Sequence, residues 1–432
     1  MCYTRCTPAQ EKGGTRAMAA SYLVAVRKVG RDARLYLLTS GLMGFAFWGG
    51  LAAVLTNLYL LRLGYGSDFI GLYNACGGFG YGAFALPAGW VGRRLGSRQA
   101  MILGLSMGAV GGTLVPLAES GPAEWRIPWL LISNLTLAAG QSFYSVNSSP
   151  FLMAATGPEE RNHAFSFSSA LGPLSAFIGS VSAGFLPGLF ADLLQVTLAH
   201  SAPYRYPLFI AAAALVPAAL AIVFTHPSEE SVLGRLVGGS GPIPWSIMLF
   251  LGCTLVLRTP AESVARTFFN VYMDQALRQS TALIGSVAAL GQLAGGAMAL
   301  AAPLMMARLG AARSYAAASL VAALSLWPLA LVPRWEAAGL GFIGVMAATS
   351  LSFPIMNVYS MLLTPPRWRA SVASVVGLAN GVSFVGVSLG GGYLIQSAGF
   401  PSLFLIASGL AIAATLFFWL RAPREQAARS AA

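Results

Sequence analysis

Residues 245–273 read WSIMLFLGCTLVLRTPAESVARTFFNVYM, and this stretch decides the fold class. It is long and apolar enough to span a membrane as one helix, yet Arg258, Glu262 and Arg266 recur in it at every fourth residue. Each four-residue step turns a helix by about 40°, so the three groups lie within an arc of about 80° and can pair with each other. Ionised groups at the centre of a membrane helix cost about 2.5–3.5 kcal/mol each on insertion scales. We therefore expect this charged ladder to face a bundle interior or a water-filled cavity and to carry function.

The composition places the whole chain in a membrane. Its 432 residues are 56% hydrophobic and 9% charged, with a mean hydropathy of +0.69, values that exclude a soluble protein of this length. Apolar stretches of about 20 residues or more indicate helices and not the shorter alternating strands of a barrel. We predict an all-α membrane protein with twelve spans, at residues 35–61, 69–92, 99–118, 128–154, 164–187, 205–225, 245–273, 281–306, 314–332, 339–363, 371–396 and 401–420.

The net charge of +12 is explained by where the basic residues lie relative to the membrane, so we expect no nucleic-acid partner. When loops are assigned alternately to the two sides, 19 of the 26 Lys and Arg residues fall on the side that holds both termini. The positive-inside rule then predicts cytoplasmic termini in a multi-pass cytoplasmic membrane protein, with the basic tail at 1–34 against lipid headgroups.

The chain start and the cysteines add few constraints. The first span is too long for a cleavable signal sequence, and Met18 is a plausible alternative start that would make residues 1–17 dispensable. Two cysteines fall in the predicted tail and two in separate spans, so we expect neither a disulfide framework nor a metal site.

The chain is also a duplicated half. Asn57-Leu-Tyr59 after the first span matches Asn270-Val-Tyr272 after the seventh, and Ser142-Phe143 with Asn147 in the fourth span matches Ser352-Phe353 with Asn357 in the tenth. Parallel repeats of this kind are typical of transporters with a substrate site between the halves. We predict two six-helix bundles at 35–225 and 245–421, a cytoplasmic linker at 226–244 and a tail at 422–432.

The loop between spans two and three makes the resemblance specific. It reads GWVGRRLGSR from Gly89, which resembles the cytoplasmic G-x-x-x-D-R-x-G-R-R motif of the major facilitator superfamily. Gly89, Arg94, Gly96 and Arg98 match the motif, whereas Arg93 replaces its acidic residue. The family's carboxylate latch is therefore not expected, although loop arginines can still meet helix carboxyl termini. The resemblance implies twelve helices in two pseudosymmetric bundles, with spans one, four, seven and ten lining a cavity.

Elimination selects the residues for coupling and substrate binding. Of the fourteen acids, Glu262 alone sits deep in a span, and the three histidines map to loops or span ends. Glu262 is the candidate proton carrier, and Arg258 and Arg266 are candidate ligands for an anion. Gln141 and Gln292 add polar groups near mid-membrane. Pro260 removes one helical hydrogen bond, so we expect a kink and a freed carbonyl near Val256.

Two asparagine pairs are candidate gates. Asn57 and Asn270 lie near the predicted external end, and Asn147 and Asn357 lie near the cytoplasmic end. The family resemblance implies that each pair can meet across the halves when its side closes. Polar residues at span ends without a gating role are the alternative.

These residues predict a secondary active transporter of a small anionic or zwitterionic amphipathic molecule, coupled to protons through Glu262 and working by alternating access. The alternative is drug or amphiphile efflux with a structural Arg258, Glu262, Arg266 triad. More distant alternatives are a membrane-embedded transferase and a non-transporting receptor. We find no nucleotide loop or metal motif, so we expect a monomeric non-enzyme without cofactors.

Overall fold

The chain folds into long α-helices in the computed structural model, which describes residues 30–226, 245–364 and 368–421. These described residues contain no strand, and nine of their helical stretches are long and apolar enough to cross a membrane. The predicted all-α membrane fold is confirmed. Residues 1–29, 227–244 and 422–432 lie outside the description, and with them most of both predicted tails and of the predicted linker.

The helices follow the predicted spans, and several spans consist of two helices. In the N-terminal half they are Arg31–Ala46 and Leu51–Arg62 (span one), Ser67–Ala83 and Ala85–Leu95 (two), Ser97–Leu117 (three), Arg126–Ala154 (four), Pro158–Leu194 (five), and Ala202–Ala213 and Leu215–Val223 (six). In the C-terminal half they are Trp245–Val271 (seven), Thr281–Leu309 (eight), Ala311–Leu324 and Trp327–Leu331 (nine), Trp335–Leu363 (ten), and Arg369–Arg421 (eleven and twelve).

The last long helix is two spans in one run. Gly399 has a φ of 78°, a conformation that glycine adopts without a Cβ clash, and it divides Arg369–Arg421 where a turn between spans eleven and twelve was predicted. Spans two and four fall outside the nine apolar stretches, so the count of twelve crossings stays a prediction.

The helix ends gather on two opposite faces. Contacts join the segments 62–66, 195–204 and 274–281, which we call the Gly64 face. At the other end Arg98 donates to the carbonyls of Ile222 and Val223, and the His226 backbone N–H donates to Asp32. We call this second end, with the segments 30–34, 96–98 and 222–226, the Gly96 face.

Small residues let the two halves approach closely. A Cβ on Gly184 of span five would lie 2.9 Å from the Ala282 carbonyl oxygen of span eight, and one on Gly285 would lie 2.5 Å from the Gly184 Cα. A Cβ on Gly392 of span eleven would lie 2.5 Å from the Ser67 carbonyl oxygen of span two. Helices approach to such distances in membranes when their interface residues lack side chains. The halves therefore contact through spans five with eight and two with eleven.

Span one is interrupted where a continuous helix over 35–61 was expected. The helix ends at Ala46 and resumes at Leu51, and Gly49 in the gap has a φ of 87°. The Gly49 carbonyl accepts a 2.6 Å hydrogen bond from Ser180 Oγ of span five. Broken helices persist at membrane depth when protein groups satisfy the freed backbone, which is the role of Ser180 here.

Candidate functional site

The charged ladder forms one connected triad on span seven. Arg266 Nε donates a 2.9 Å hydrogen bond to Glu262 Oε1, and Arg258 Nη1 lies 3.6 Å from Glu262 Oε2. The four-residue spacing produces this geometry, since a helix places i and i+4 side chains on one face. The structure thus brings together all three predicted residues, with the carboxylate between two guanidinium groups and one positive charge in excess.

Exposure increases along the triad. The side chain of Arg258 is 6% exposed, that of Glu262 27% and that of Arg266 41%. Asn270, one helical turn beyond Arg266, contacts span one of the other half. Because a four-residue step turns the helix by only about 40°, Arg266 also faces the other half. Arg266 therefore lies on the side of span seven toward the other half, and we call the space on that side the cleft. Glu262 is partly exposed beside Arg266, and Arg258 is buried.

Arg258 is poorly satisfied in its buried position. Its Nε and Nη2 atoms have no hydrogen-bond partner among the described residues. Tyr315 of span nine, whose hydroxyl is likewise without a hydrogen-bond partner in the described part of the chain, lies within electrostatic range of the Arg258 charge. A buried guanidinium with free N–H groups is expected to meet an acceptor.

The Pro260 region is held by span eleven. The helix runs through Pro260 without interruption, so the predicted kink does not break it. The predicted free carbonyl at Val256 is present, and it accepts a 3.0 Å hydrogen bond from Ser383 Oγ. Beside it Thr259 Oγ1 donates to Asn380 Oδ1 at 2.7 Å. Asn380 and Ser383 were not among the predicted site residues, although each is a polar residue in the middle of an apolar span.

The first asparagine pair meets across the halves at the Gly64 face. Asn57 Nδ2 donates to the Thr267 carbonyl oxygen at 2.8 Å, and Asn270 Nδ2 donates to the Val54 carbonyl oxygen at 3.1 Å. Each amide therefore binds the backbone of the opposite half. The arrangement has the contacts that a closed gate requires, and the gating role itself stays a prediction.

An ion pair reinforces this closed end. Arg62 at the end of span one binds both carboxylate oxygens of Asp274, with Nη1 to Oδ2 at 2.8 Å, and its Nε donates to the Leu198 carbonyl at 2.9 Å. Tyr204 and Thr281 form a further hydrogen bond between the halves at 3.1 Å. Neither Arg62 nor Asp274 was among the candidate residues predicted from the sequence. The two residues are 212 positions apart, about the same separation as the repeated motifs of the two halves, and this separation was the available sequence signal for their pairing.

The second asparagine pair is not joined between the halves. Asn147 Nδ2 donates to the carbonyls of Ala88 and Phe143, both within its own half. The half-buried Asn357 side chain has no hydrogen-bond partner among the described residues. The halves are thus bonded across the Gly64 face, and the predicted pair at the Gly96 end forms no hydrogen bond between them among the described residues.

The two glutamines occupy different positions. Gln292 of span eight packs against Gly49 in the gap of span one, so it contacts the opposite half. Gln141 is half-buried on span four, where its backbone carbonyl accepts from Ser145 Oγ. Trp48 in the gap is 38% exposed, and its ring lies 5.3 Å from that of Tyr144 between centroids at an interplanar angle of 53°.

The basic loop has a structural role at one residue. Arg93 and Arg94 lie in the helix Ala85–Leu95 and Arg98 lies in Ser97–Leu117, so the predicted loop is a tight turn at Gly96. Arg98 Nη2 donates to the Val223 carbonyl at 2.5 Å, so an arginine of the motif meets a helix carboxyl terminus as expected. Arg94 lies 4.5 Å over the Trp90 ring, and Arg93 and Arg94 are both exposed. Gly89 and Gly96 flank these arginines, and Gly96 has a φ of 91° in the turn to span three.

A separate open pocket of about 460 Å³ lies at the Gly64 face. Arg62, Tyr204 and Thr281 line it together with residues of both halves, and no ladder residue does. It is therefore distinct from the space that Arg266 faces. Among the described residues no cluster of three or more His, Cys, Asp or Glu side chains is placed to hold a metal ion.

Comparison with known proteins identifies the family. The family model described as "Major Facilitator Superfamily" matches residues 36–260 and 251–432. The chain belongs to the major facilitator superfamily. No curated protein matches it in sequence.

Solved structures share the fold at low identity. The inward-open xylose transporter XylE from E. coli has a TM-score of 0.72 at 13% identity, covering 90% of this chain and 96% of that one. A mutant of the nucleoside transporter NupG has a TM-score of 0.70 at 14% identity, with coverages of 90% and 100%. A D-xylose-proton symporter has a TM-score of 0.70 at 14% identity, with coverages of 94% and 99%. At such identities the likeness shows the fold alone.

Family and fold together indicate a transporter rather than an enzyme. The chain is a multi-pass membrane protein of the major facilitator superfamily, and this fold supports secondary transport between two helical halves.

Proposed function

We propose that the chain is a secondary active transporter of a small anionic or zwitterionic amphipathic organic molecule, coupled to protons through Glu262. The observation that carries this proposal is the cleft-facing Arg266. Its Nε binds Glu262, and its side chain is 41% exposed. A planar guanidinium with free donors suits a carboxylate or phosphate.

The electrostatics of the triad favour an anion over a cation. Arg266 presents a partly exposed guanidinium beside the carboxylate, so an anionic group of the substrate can pair with it there. Trp48, exposed in the gap of span one, offers an aromatic surface for the apolar part of such a molecule.

Glu262 is the group we assign to proton coupling. It is the acid of the described spans that lies between two cations at the cleft, so its proton affinity depends on whether Arg266 stays bound to it. A substrate anion that takes Arg266 would weaken that hold and favour protonation. Proton coupling occurs on this fold, since one solved relative is a D-xylose-proton symporter.

We also propose that the Gly96 face is cytoplasmic and that the membrane is the cytoplasmic one. The basis is the positive-inside rule, because 19 of the 26 Lys and Arg residues are assigned to that side.

A ligand screen tests the substrate class. The purified protein and its Arg266→Ala variant are scanned for thermal stabilisation by a metabolite and drug library, because a bound ligand raises apparent stability. We expect carboxylates or phosphates to stabilise the wild type and not the variant. Stabilisation of both proteins by uncharged or cationic amphiphiles alone would instead support efflux with a structural triad.

A proton-flux assay tests the coupling. In proteoliposomes, Glu262→Gln is expected to bind the identified ligand while losing transport driven by a pH gradient. The control is Arg334→Gln, which removes an exposed arginine directly before span ten and should transport normally. Full proton-driven transport by Glu262→Gln would refute the coupling role.

A further inference from the structure

The buried guanidinium of Arg258 is the least satisfied polar group of the triad. Its side chain is 6% exposed, its Nε and Nη2 lack hydrogen-bond partners among the described residues, and its Nη1 stands 3.6 Å from Glu262, beyond hydrogen-bond range. A group with several free donors in an apolar bundle is strongly disfavoured unless an acceptor outside the chain completes it.

The charge balance indicates the sign of that acceptor. Glu262 is bound more closely by Arg266, at 2.9 Å, so the Arg258 charge is the less compensated of the two. Tyr315 is 1% exposed, and its hydroxyl has no hydrogen-bond partner in the described part of the chain. This hydroxyl lies within electrostatic range of the Arg258 charge and can also donate a hydrogen bond. Unpartnered donors on and near a positive charge favour an anion over a cation.

Burial limits the size of the anion. The Arg266 side chain is 41% exposed, whereas that of Arg258 is 6% exposed, which leaves little room for an organic substrate to reach it. A single spherical ion can accept from several donors without an imposed geometry. We propose that Arg258, with Tyr315 nearby, forms an internal halide site that holds chloride and is separate from the cleft-facing Arg266.

A stability assay tests this site without reference to transport or substrate. The purified protein is melted in sodium chloride and in sodium gluconate of equal ionic strength, with chloride varied from about 1 to 100 mM. We expect a saturable rise in Tm with chloride in the wild type, its loss in Arg258→Gln, and its retention in Arg334→Gln, which removes an exposed arginine. Equal Tm values of the wild type in both salts would overturn the proposal.

A second variant covers the case in which Arg258→Gln fails to fold. Tyr315→Phe keeps the arginine and removes one donor, so it should shift the chloride response to higher concentration. Tyr204→Phe is its matched control, since Tyr204 is equally buried but bonds Thr281 across the halves, and it should respond as the wild type does. An unshifted response in Tyr315→Phe would remove Tyr315 from the site.

Crystallography with bromide locates the ion directly. Crystals grown in sodium bromide should show an anomalous peak beside the Arg258 guanidinium. A peak at Arg266 instead, or none in the bundle, would refute the assignment. Because neither experiment involves transport, they can fail while the proposed transport function stands, and the reverse also holds.

Discussion

Arg258 and Arg266 share a helix face and a carboxylate but differ in what can reach them. Arg266 meets the space between the halves, and Arg258 lies inside one half. The four-residue spacing predicted the pairing of both with Glu262 because pairing depends on helix geometry alone. It did not predict the difference in exposure, which depends on how span seven is rotated against its neighbours.

Pro260 shows the same division between local and tertiary information. A proline has no N–H, so a free carbonyl at Val256 follows from the sequence. The group that satisfies it, Ser383, is 127 residues away and comes from the packing of span eleven on span seven. The sequence holds no local signal for this partner.

The Ser383 contact gives a prediction with an internal control. Ser383→Ala leaves the Val256 carbonyl without a partner and should lower the free energy of unfolding by about 0.5–1.5 kcal/mol. In a Pro260→Ala background the residue at 260 again donates to Val256, so the same change should cost close to nothing. A double-mutant cycle of Tm values measures the difference.

Ser397→Ala is the matched serine variant for this cycle. Its hydroxyl is exposed and bonds the carbonyls of its own helix, so the change should be near neutral in both backgrounds. An equal cost of Ser383→Ala with and without Pro260 would show that the hydrogen bond to Val256 is not the cause.

At the scale of elements, the apolar pattern of the sequence predicted where the membrane spans lie but not where a helix is interrupted within a span. Residues 47–50 are as apolar as their surroundings, so hydropathy gives no sign of the gap in span one. The adjacent Gly49 and Gly50 are the signal that was available, because paired glycines weaken a helix. What fixes the gap is tertiary, namely the bond from Ser180 and the contact with Gln292.

Span five offers a prediction on helix packing between the halves. A Cβ on Gly184 would meet the backbone of Ala282, whereas one on Gly188, a turn later, would meet nothing within 4 Å. Gly184→Ala should therefore separate spans five and eight and lower Tm and transport, although alanine favours a helix by up to about 1 kcal/mol. Gly188→Ala should leave both unchanged.

Tm and uptake of the two variants are compared side by side. Equal behaviour would mean that spans five and eight are not held by this backbone approach.

For the whole molecule, the duplication was readable because both halves keep short motifs at nearly constant offsets. The same offsets also join residues in space, since Asn57 and Asn270 each bind the other half at the Gly64 face. Which face is closed could not be read from the sequence, because both asparagine pairs are equally polar and the choice depends on the relative tilt of the halves.

The Arg62–Asp274 pair makes the closed Gly64 face testable. Its side chains are 20% and 10% exposed, and hydrogen bonds to charged groups contribute about 1.5–3 kcal/mol, so Asp274→Asn should favour opening of this face by about tenfold or more. The exchanged variant Arg62→Asp with Asp274→Arg should recover much of the closure, though not all, since Leu198 then loses its donor.

Thr267→Cys, a site 2% exposed in the closed state, reports opening through its thiol-labelling rate with the native cysteines replaced by serine. Fast labelling in Asp274→Asn and slow labelling in the exchanged variant would establish the pair as a lock between the halves. Equal rates in all backgrounds would assign closure to the asparagines and the glycine contacts instead.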